Sequence, residues 1–359
     1  MRVLVVAAPL LGHVFPLIPL ALALREAGHD VVVATGGEAL RVRDSGLHVE
    51  DVVPGNVRFG PIALRIVLTH PVMAKRELEG SGRLDFVSRM FGTVGDAMTK
   101  PLRALAARWK PDVVVHEPLA AAGSVLGVPS VVHDVPVFDG LELTRAVGAR
   151  MKAEVRSPAT VLRTAPPSLG EFPGGEAMRF VAYSGGGEVP RWLAEPSGRP
   201  RVLVSRSTVP GPGAGKMTAA VVRAAGRVDA EFVLVRPERT DGLPDNVRAV
   251  GWVPIPRVLP LCDGIVHHGG AGTLLGALAA GVPQLVEPGP GDRTTHADAV
   301  TRRGAGLRAG PRDVTPELLT RLIEDSKLQR AAGEVRAEMA AMPSPADVAA
   351  RWESLVRAE

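Results

Sequence analysis

The chain has 359 residues, of which 46% are hydrophobic and 22% are charged, a composition typical of a globular protein and not of a disordered one. That length exceeds one ordinary core and indicates two domains. The formal net charge is only +4 and the arginines are spread along the chain, which argues against a nucleic-acid-binding protein. The lone Cys262 excludes an internal disulfide framework and a thiolate metal cluster.

The N-terminal segment predicts a strand, a turn, a helix and a second strand. A continuous apolar run over residues 3–7 is typical of a strand buried on both faces of a parallel sheet. A turn follows over residues 12–16, then a helix over residues 17–27 that Gly28 ends, then a strand over residues 31–34. This βαβ pattern opens a doubly wound α/β fold. The first turn lacks the G-x-G-x-x-G fingerprint, which disfavours an NAD-dependent enzyme.

Residues 2–24 are apolar enough to resemble a signal peptide. However, Pro9, His13 and Pro16 interrupt the run, and such residues suit a strand, turn and helix better than a leader. No other apolar run is long enough to span a bilayer. We therefore expect a cytoplasmic protein without a membrane span.

Further strands of the N-terminal half end in ionisable residues. Strands are predicted over residues 113–115 and 128–132, with a helix over residues 119–126 between them. In a parallel sheet, ligands bind outside the carboxyl ends of the strands. His13, Glu117 and Asp134 all lie at such ends, which makes them candidate site residues.

Residues 55–110 are less regular and carry large apolar side chains in stretches that could be helical. These side chains belong to Phe59, Phe86, Met90, Phe91 and Met98. Packing in a helix core is the simpler interpretation of each one. The alternative is that Phe59, Phe86, Met90 and Phe91, together with Asp134, line an apolar pocket for an acceptor.

A second α/β pattern follows a segment rich in glycine and proline at residues 185–200, which is the predicted linker. Strands are predicted over residues 201–204, 231–235, 246–250, 264–266 and 283–286, helices over residues 217–225, 274–280, 316–326 and 345–357, and a Pro/Gly loop over residues 209–215. The predicted domains are therefore residues 1–184 and 201–343, followed by a terminal helix within residues 344–359.

The sequence His-His-Gly-Gly-Ala-Gly-Thr over residues 267–273 lies between a predicted strand and a predicted helix. Glycines let the backbone approach a ligand closely, and the first turn of a helix has N–H groups without an internal partner. Those amides and the helix dipole form a ready site for phosphate. A plain strand-to-helix turn would also need small residues. The two histidines and Thr273 add side-chain donors and favour a diphosphate site.

With these residues, the chain resembles the family 1 glycosyltransferases of the GT-B fold. The motifs that carry the resemblance occupy residues 1–16, 246–254, 266–273 and 281–285. Their joint occurrence in this order is specific and covers nearly the whole chain. The chain is most similar to the antibiotic glycosyltransferases of actinomycete secondary metabolism, including those that decorate enediynes such as calicheamicin. The resemblance implies two Rossmann-like domains that face each other across a cleft, with the C-terminal helix returning to the N-terminal domain.

The resemblance also implies that the C-terminal domain binds a nucleotide sugar. Trp252 matches an aromatic residue that lies against the base, and the backbone of Val253 would pair with the base edge. His268 matches a phosphate-binding histidine. The other implied donor-binding residues are Thr208, Gly270, Gly272, Thr273, Asp292 and Arg293. Taken alone, Trp252 would be interpreted as a packed aromatic residue and Thr208 as a turn residue.

The mechanism that the resemblance implies is an inverting transfer with His13 as general base. His13 would take a proton from the acceptor hydroxyl while that oxygen attacks the anomeric carbon. Glu117 is the expected carboxylate partner of His13, and Asp134 is the alternative. No metal ion and no cofactor are expected, because a helix N-terminus, His268 and hydroxyl groups can meet the charge of the diphosphate.

Two positions depart from the family pattern. Arg293 stands where glutamine commonly follows the aspartate, which weakens the expectation of a donor sugar with glucose-like hydroxyls. Arg206 stands in a loop where glycine is usual, and it is either a cation beside the site or a solvated or salt-bridged loop residue. The expected donor is a dTDP- or UDP-linked sugar, with a dTDP-deoxysugar favoured by the resemblance, and the expected acceptor is an apolar natural product.

Two other functions stay open at this point. A nucleotide-sugar epimerase of the same fold would share the diphosphate site and act on the donor alone. A catalytically silent homologue could help a partner enzyme, although the presence of His13 argues against it. The acceptor, the regiochemistry and the oligomeric state, including a homodimer, have no transferable pattern in the sequence.

Overall fold

The structure is a computed structural model that describes residues 1–55, 57–82, 84–135, 137–170, 172–208 and 215–357. Most of the predicted loop at residues 209–215 lies outside the described residues. The chain divides into two compact units. The first contains Met1–Ala165, Glu171–Val181 and Met342–Glu359, and the second contains Pro166–Gly170 and Ala182–Ala341.

The elements alternate between strands and helices along most of the chain. The strands are β1 (Arg2–Val6), β2 (Asp30–Thr35), β3 (His48–Asp51), β4 (Val113–His116), β5 (Ser130–Asp134), β6 (Thr160–Arg163), β7 (Glu176–Ala177), β8 (Arg201–Ser205), β9 (Glu231–Val235), β10 (Val247–Val250), β11 (Gly264–His267), β12 (Gln284–Val286) and β13 (Gly306–Arg308). The α-helices are α1 (Leu11–Val14), α2 (Ile18–Glu26), α3 (Phe59–Thr69), α4 (Pro71–Leu78), α5 (Asp85–Trp109), α6 (Gly140–Gly148), α7 (Arg191–Ala194), α8 (Lys216–Ala225), α9 (Ile255–Val258), α10 (Ala271–Ala280), α11 (Arg293–Arg303), α12 (Pro316–Glu324), α13 (Ser326–Ala341), α14 (Pro345–Ala350) and α15 (Trp352–Arg357). Short 3₁₀ helices cover Phe15–Leu17, Gly37–Ser45, Ala121–Val125, Pro167–Leu169 and Leu259–Leu261.

The first unit is built on a seven-stranded parallel sheet in the order β3-β2-β1-β4-β5-β6-β7. Its central strands are valine-rich, and β-branched residues suit a pleated surface that is covered on both faces. Val3 and Val113, which pair across β1 and β4, are fully buried. Because β1 and β4 are parallel neighbours, the segments that follow them emerge side by side at the same edge of the sheet.

The second unit is built on a six-stranded parallel sheet in the order β10-β9-β8-β11-β12-β13. Strand β11 lies at its centre, between β8 and β12. The residues of β11 are all buried, as expected for a short apolar strand with helices on both faces. Strands β8 to β10 progress to one side of the sheet and strands β11 to β13 to the other. The turn that follows β11 therefore lies at the carboxyl edge, beside the point between β8 and β11 where the strand order reverses.

The C-terminal helices α14 and α15 belong to the first unit, where α14 packs against α2. A capping box starts α14: the hydroxyl of Ser344 accepts from the amide of Asp347, and the Asp347 carboxylate accepts from the amide of Ser344. Arg351 forms a 2.9 Å ion pair with Glu176 of β7. Trp352 is completely buried, which makes α15 part of a core and not a loose tail.

The helix predicted over residues 119–126 is wrong, because the segment forms a 3₁₀ helix at Ala121–Val125. It packs so closely on β4 that a Cβ built on Gly123 would lie 2.9 Å from the Cβ of His116. The Nε2 atom of His116 and the hydroxyl of Ser124 are 2.7 Å apart, a hydrogen bond that fixes the segment against the strand. These tertiary contacts override the local helical pattern.

Other differences concern segments without strong hydrophobic periodicity. The predicted terminal helix over residues 345–357 forms two helices, α14 and α15. Helices α11 and α13 have no counterpart among the predicted elements. The buried face of α11 consists of alanines, one valine and a histidine, so it lacks the stripe of large apolar residues that indicates a helix.

No helix in the described part of the chain is both long enough and apolar enough to cross a membrane.

Replacing Trp352 with alanine should lower the free energy of unfolding by about 3–5 kcal/mol, because the change opens a cavity in a fully buried position. Trp352→Phe should lower the free energy of unfolding by less. The phenyl ring keeps part of the packing, and the change removes the buried indole Nε1, which has no hydrogen-bond partner in the described structure. Urea unfolding followed by circular dichroism measures both. Arg357→Ala in the same helix is the control and should change stability by at most about 0.5 kcal/mol. A Trp352→Ala loss no larger than this control would contradict the packing of α15.

Candidate active site

His13 and Glu117 meet at the carboxyl edge of the first sheet. His13 lies in α1, a single helical turn that follows β1, and Glu117 directly follows β4. The Nδ1 atom of His13 is 3.3 Å from Oε2 of Glu117. The side chain of His13 is 33% exposed, whereas that of Glu117 is 3% exposed. The Glu117 carboxylate therefore reaches the imidazole from its buried side, while the imidazole stays partly exposed.

The Glu117 carboxylate is held by backbone amides as well as by His13. Oε1 accepts from the amide of Ala8 at 3.0 Å, and Oε2 accepts from the amide of Leu119 at 2.8 Å. Burial alone would favour the neutral acid, but the charge of His13 and these hydrogen bonds hold the pKa of the Glu117 carboxyl below its usual value. Glu117 is thus an ionised acceptor at neutral pH.

This ionised partner decides what the imidazole of His13 can do. A carboxylate has no proton to donate, so the hydrogen of the neutral ring is drawn to Nδ1, and Nε2 keeps its lone pair. A neutral histidine in this tautomer can take up a proton at Nε2. The imidazolium that then forms is stabilised by the buried negative charge beside it.

Aromatic side chains lie around the histidine in the first unit. The ring centroid of Phe91 is 5.9 Å from that of His13, and Phe59 lies 5.7 Å from Phe91. Phe91 is buried in a core cluster, against which Phe59 and Met90 pack as partly buried residues. Phe86 is half-buried in the first turns of α5. Of the five predicted acceptor contacts, the structure thus places Phe91 beside His13, with Phe59 next to Phe91.

Asp134, the alternative carboxylate partner, is engaged elsewhere. It lies at the end of β5 and forms an ion pair with Arg163, whose Nη1 atom is also 2.9 Å from Asp139. Burial raises the pKa of Asp134 to about 7, and the guanidinium of Arg163 opposes this shift. Its Oδ2 accepts from the amide of Gly140, while its buried Oδ1 has no hydrogen-bond partner in the described structure. Glu117 is the carboxylate that hydrogen-bonds His13.

In the second unit, the glycine-rich turn leads from β11 into α10. Gly269 has φ +83°, a left-handed conformation that a side chain would strain. Gly270 is the N-cap of α10 and has no side chain to bond the first amides of the helix. A Cβ on Gly270 would lie 2.6 Å from Nε2 of His268, whereas a Cβ on Gly272 would meet no atom within 4 Å. The turn therefore presents uncapped helix amides beside open space, the arrangement that binds an anion.

Two buried histidines fix the turn from beneath. His267 is fully buried; its Nδ1 accepts from the amide of Gly269 at 3.1 Å, and its Nε2 lies 2.8 Å from Oε1 of Gln284. The Nδ1 atom of His296 is 2.8 Å from the carbonyl oxygen of Gly269. His267 thus lies under the turn and not at its surface. Gln284 and His296 thus position the turn, and no motif in the sequence indicates either residue.

His268 is the more exposed of the two adjacent histidines. Its side chain is half-buried and stands against Gly270, and its buried Nδ1 has no hydrogen-bond partner in the described structure. Burial, with smaller effects from the neighbouring histidines and arginines, lowers the pKa of His268 to about 3. It is therefore neutral at physiological pH and offers a hydrogen bond, not a charge.

Trp252, the predicted base platform, follows β10 and is half-buried. The guanidinium carbon of Arg236 lies 5.1 Å from the centroid of its ring, a cation–π contact. Arg236 has φ +50°, an uncommon conformation for a residue other than glycine. The side chain of Val253 is buried in a core cluster with Val250 and Val258. Nothing in the sequence pattern had indicated Arg236.

Two other predicted donor residues lie in the segments that follow β8 and β11. Thr208 is half-buried a few residues beyond β8, and Thr273 is half-buried in the first turn of α10. Arg206, beside Thr208, forms a 2.9 Å ion pair with Glu238. Of the two interpretations of Arg206, the salt-bridged loop residue agrees with this contact.

Asp292 and Arg293 begin α11 and point to different partners. Asp292 is the N-cap of α11 with its side chain 38% exposed, 3.6 Å from Nε2 of His296. The Nε atom of Arg293 donates to the carbonyl oxygen of His268 at 2.5 Å, and its Nη2 is 2.8 Å from the carboxylate of Glu287. The structure thus shows Arg293 bonded to the glycine-rich turn and to Glu287. Its predicted contact with a donor stays a prediction.

Comparison with known proteins gives a consistent result. Residues 22–168 match the family model "Erythromycin biosynthesis protein CIII-like, N-terminal domain", and residues 219–355 match the corresponding C-terminal domain. The elloramycin glycosyltransferase ElmGT of Streptomyces olivaceus is 38% identical over 98% of this chain and 96% of that protein. The crystal structure of the glycosyltransferase SnogD from Streptomyces nogalater aligns with a TM-score of 0.82 and 35% identity, covering 99% of both chains. The Streptomyces sp. SF2575 glycosyltransferase SsfS6 in complex with thymidine diphosphate aligns with a TM-score of 0.82 and 27% identity, covering 99% of both chains.

The buried state of His267 predicts a pH dependence of stability. Burial lowers the pKa of His267 to about 4, against about 6.5 in an unfolded chain. Between these values the unfolded chain binds a proton that the folded chain does not, so the free energy of unfolding decreases as the pH falls from about 6.5 towards 4. His267→Gln removes this proton site, and the variant should lose less stability than the wild type between pH ~7 and pH ~5.

Urea unfolding at both pH values measures the difference. His48→Gln, which replaces a histidine that is 64% exposed, is the control and should keep the wild-type pH dependence. An identical pH dependence of His267→Gln and wild type would contradict the neutral, buried state of His267.

Proposed function

Because the chain belongs to the erythromycin biosynthesis protein CIII-like family of antibiotic glycosyltransferases, we propose that it transfers a deoxysugar from thymidine diphosphate. The proposed acceptor is a hydroxyl group of an apolar natural-product aglycone, and the configuration at the anomeric carbon inverts. Glycosyl transfer with the GT-B fold follows from the family. The inverting mechanism and the roles of single residues are the proposed steps. A particular closeness to the calicheamicin-type enzymes stays a prediction.

The pair formed by His13 and Glu117 is the observation that carries this proposal. Nε2 of His13 removes the proton of the acceptor hydroxyl while that oxygen forms a bond to the anomeric carbon of the sugar. The bond from this carbon to the diphosphate oxygen breaks on the opposite face, which inverts the configuration. The proton stays on His13, where the ionised Glu117 stabilises the imidazolium. The rings of Phe59 and Phe91 support the assignment of an apolar acceptor to the first unit.

The second unit supplies the groups that stabilise the leaving diphosphate. Negative charge grows on the diphosphate as the glycosidic bond breaks, and uncapped amides at the start of α10 are fixed donors for it. Neutral His268 adds a side-chain hydrogen bond beside Gly270. These donors give the leaving group its stabilisation without a metal ion, so we also propose a metal-independent reaction.

A thymidine diphosphate donor is supported by the relative that binds it. SsfS6 was crystallised with thymidine diphosphate and shares the fold over nearly its whole length. The half-buried indole of Trp252 offers a flat face of the size of a pyrimidine. Arg236 over the same ring adds a cation close to the position proposed for the nucleotide.

His13→Ala should reduce kcat for transfer from a thymidine diphosphate sugar by a factor of about 10²–10⁴, because the acceptor proton loses its base. Glu117→Gln should reduce kcat less, since His13 stays but its imidazolium loses the neighbouring charge. The Kd for thymidine diphosphate should stay at the wild-type value in both variants, because neither residue belongs to the proposed diphosphate site. Steady-state kinetics with a panel of apolar acceptors and calorimetric titration measure the two quantities.

Undiminished turnover of His13→Ala would exclude the general-base mechanism. Conversion of the donor to an isomer without any acceptor would instead identify an epimerase. Anomeric coupling constants of the product, measured by NMR, test inversion, and unchanged turnover in excess EDTA tests metal independence.

Trp252→Ala should weaken the binding of thymidine diphosphate by a factor of about 5–150, because stacking of a base on an aromatic side chain contributes roughly 1–3 kcal/mol. Trp192→Ala is a matched control, since Trp192 lies in the same unit and also carries an arginine, Arg248, at 5.0 Å over its ring. That control should bind thymidine diphosphate like the wild type. Equal losses in the two variants would show that Trp252 acts through general stability and not through the base.

A further inference from the structure

An ion pair lies directly beside the turn that is proposed to bind the diphosphate. Nη2 of Arg293 is 2.8 Å from Oε2 of Glu287, and Nε of the same guanidinium donates to the carbonyl oxygen of His268 at 2.5 Å. The amide of Glu287 donates to the carbonyl oxygen of His267 at 2.9 Å, which joins the glutamate to the same stretch of backbone. One guanidinium therefore bridges α11, the segment after β12 and the glycine-rich turn.

The backbone around this pair leaves space for the guanidinium. A Cβ on Gly289 would lie 2.8 Å from Cζ of Arg293, and a Cβ on Gly269 would lie 3.3 Å from its Cβ. Side chains at either glycine would displace the arginine or the turn. Arg293 is 25% exposed and Glu287 is 18% exposed, so the pair is largely removed from water, where charges are poorly screened.

The two groups that Arg293 contacts are both negative or electron-rich. A carboxylate and a carbonyl oxygen close to a diphosphate would repel it, whereas the amides of α10 attract it. We propose that Arg293 is a positioning residue: its guanidinium neutralises the Glu287 carboxylate and holds the His268 carbonyl away from the diphosphate, without itself binding the donor. This inference rests on the proposed function of the turn as a diphosphate site.

Other charged or titratable groups surround the pair and define its controls. On the turn these are His267 and His268, whose pKa values burial lowers to about 4 and about 3, so both stay neutral above pH ~5.5. Asp292 and His296 face it from α11, and Arg236 acts on the same region from the end of β9. Burial raises the pKa of Glu287 above its usual value, and Arg293 opposes that shift.

The experiment compares thymidine diphosphate binding, by calorimetry, in wild type, Arg293→Gln, Glu287→Gln and the double variant. Arg293→Gln should weaken binding on the order of tenfold, because an uncompensated carboxylate then faces the diphosphate. Glu287→Gln should tighten binding about threefold, since it leaves an uncompensated guanidinium. The double variant should return to within about threefold of wild type, a coupling that identifies the carboxylate as the group through which Arg293 acts.

Arg293→Lys is a second test of geometry. The guanidinium uses two separate nitrogens, Nε for the His268 carbonyl and Nη2 for the Glu287 carboxylate. The single ammonium group of lysine cannot reproduce both hydrogen bonds in this geometry. The Kd of Arg293→Lys for thymidine diphosphate should therefore lie between those of wild type and Arg293→Gln.

The pH dependence separates a charge effect from a structural one. In Arg293→Gln the Glu287 carboxyl has lost its cation, so it takes up a proton as the pH falls, and the loss of affinity relative to the double variant should shrink from pH ~8 to pH ~5.5. Protonation of the ligand and of the other nearby groups is common to both variants and cancels in this ratio. Melting temperatures within a few degrees of wild type show that the variants are folded.

Three results would overturn the inference. A double variant as weak as Arg293→Gln would show that Arg293 contacts the donor itself or only supports the fold. Unchanged binding by Arg293→Gln would show that the pair is irrelevant to the donor. A wild type that binds neither thymidine diphosphate nor uridine diphosphate would refute the proposed donor site before any variant is made, and the inference with it.

Discussion

The first unit depends on how one buried carboxylate is satisfied. Glu117 lies beneath the surface after β4, and its oxygens accept from backbone amides that follow β1 and β4 as well as from His13. Burying an ionised carboxylate is costly unless every oxygen has a donor. Because these donors come from segments that follow neighbouring parallel strands, the register of β1 and β4 places His13 as well as the core. The orientation of the imidazole is therefore a consequence of the fold.

The second unit solves a different electrostatic problem. Its turn presents amides to an anion, and the histidines at the turn are kept neutral by burial, so their contribution is hydrogen bonding. The positive charge near the turn comes from arginines, whose guanidinium groups stay protonated at any working pH. Arg293 forms an ion pair with Glu287 and a hydrogen bond with the His268 carbonyl, and Arg236 lies over Trp252. These histidines and arginines therefore keep the same charges over a wide pH range around the proposed diphosphate site.

The sequence predicts the α/β architecture and its two parallel sheets because buried parallel strands are continuous apolar runs, and this fold class is confirmed. Motif order likewise predicts the family, which the comparisons confirm. The helix over residues 119–126 is wrong, since the tight packing of Gly123 on His116 is a tertiary contact that periodicity does not record. Side-chain direction is equally invisible in a sequence. Neither the ion pair of Arg293 with Glu287 nor the contact of Arg236 with Trp252 follows from spacing. The first closes a loop between β12 and α11 that has no periodic pattern, and the second depends on the left-handed backbone of Arg236.

The proposed mechanism depends on Glu117 keeping the proton of neutral His13 on Nδ1, which leaves Nε2 as the base. The most direct measurement is a long-range ¹H–¹⁵N correlation spectrum of the histidine side chains, with His13 assigned by comparison with His13→Gln. The account predicts that neutral His13 is the Nδ1–H tautomer in the wild type and shifts towards the Nε2–H tautomer, which is the more common one in solution, in Glu117→Gln. A wild-type ring that is already the Nε2–H tautomer would contradict it.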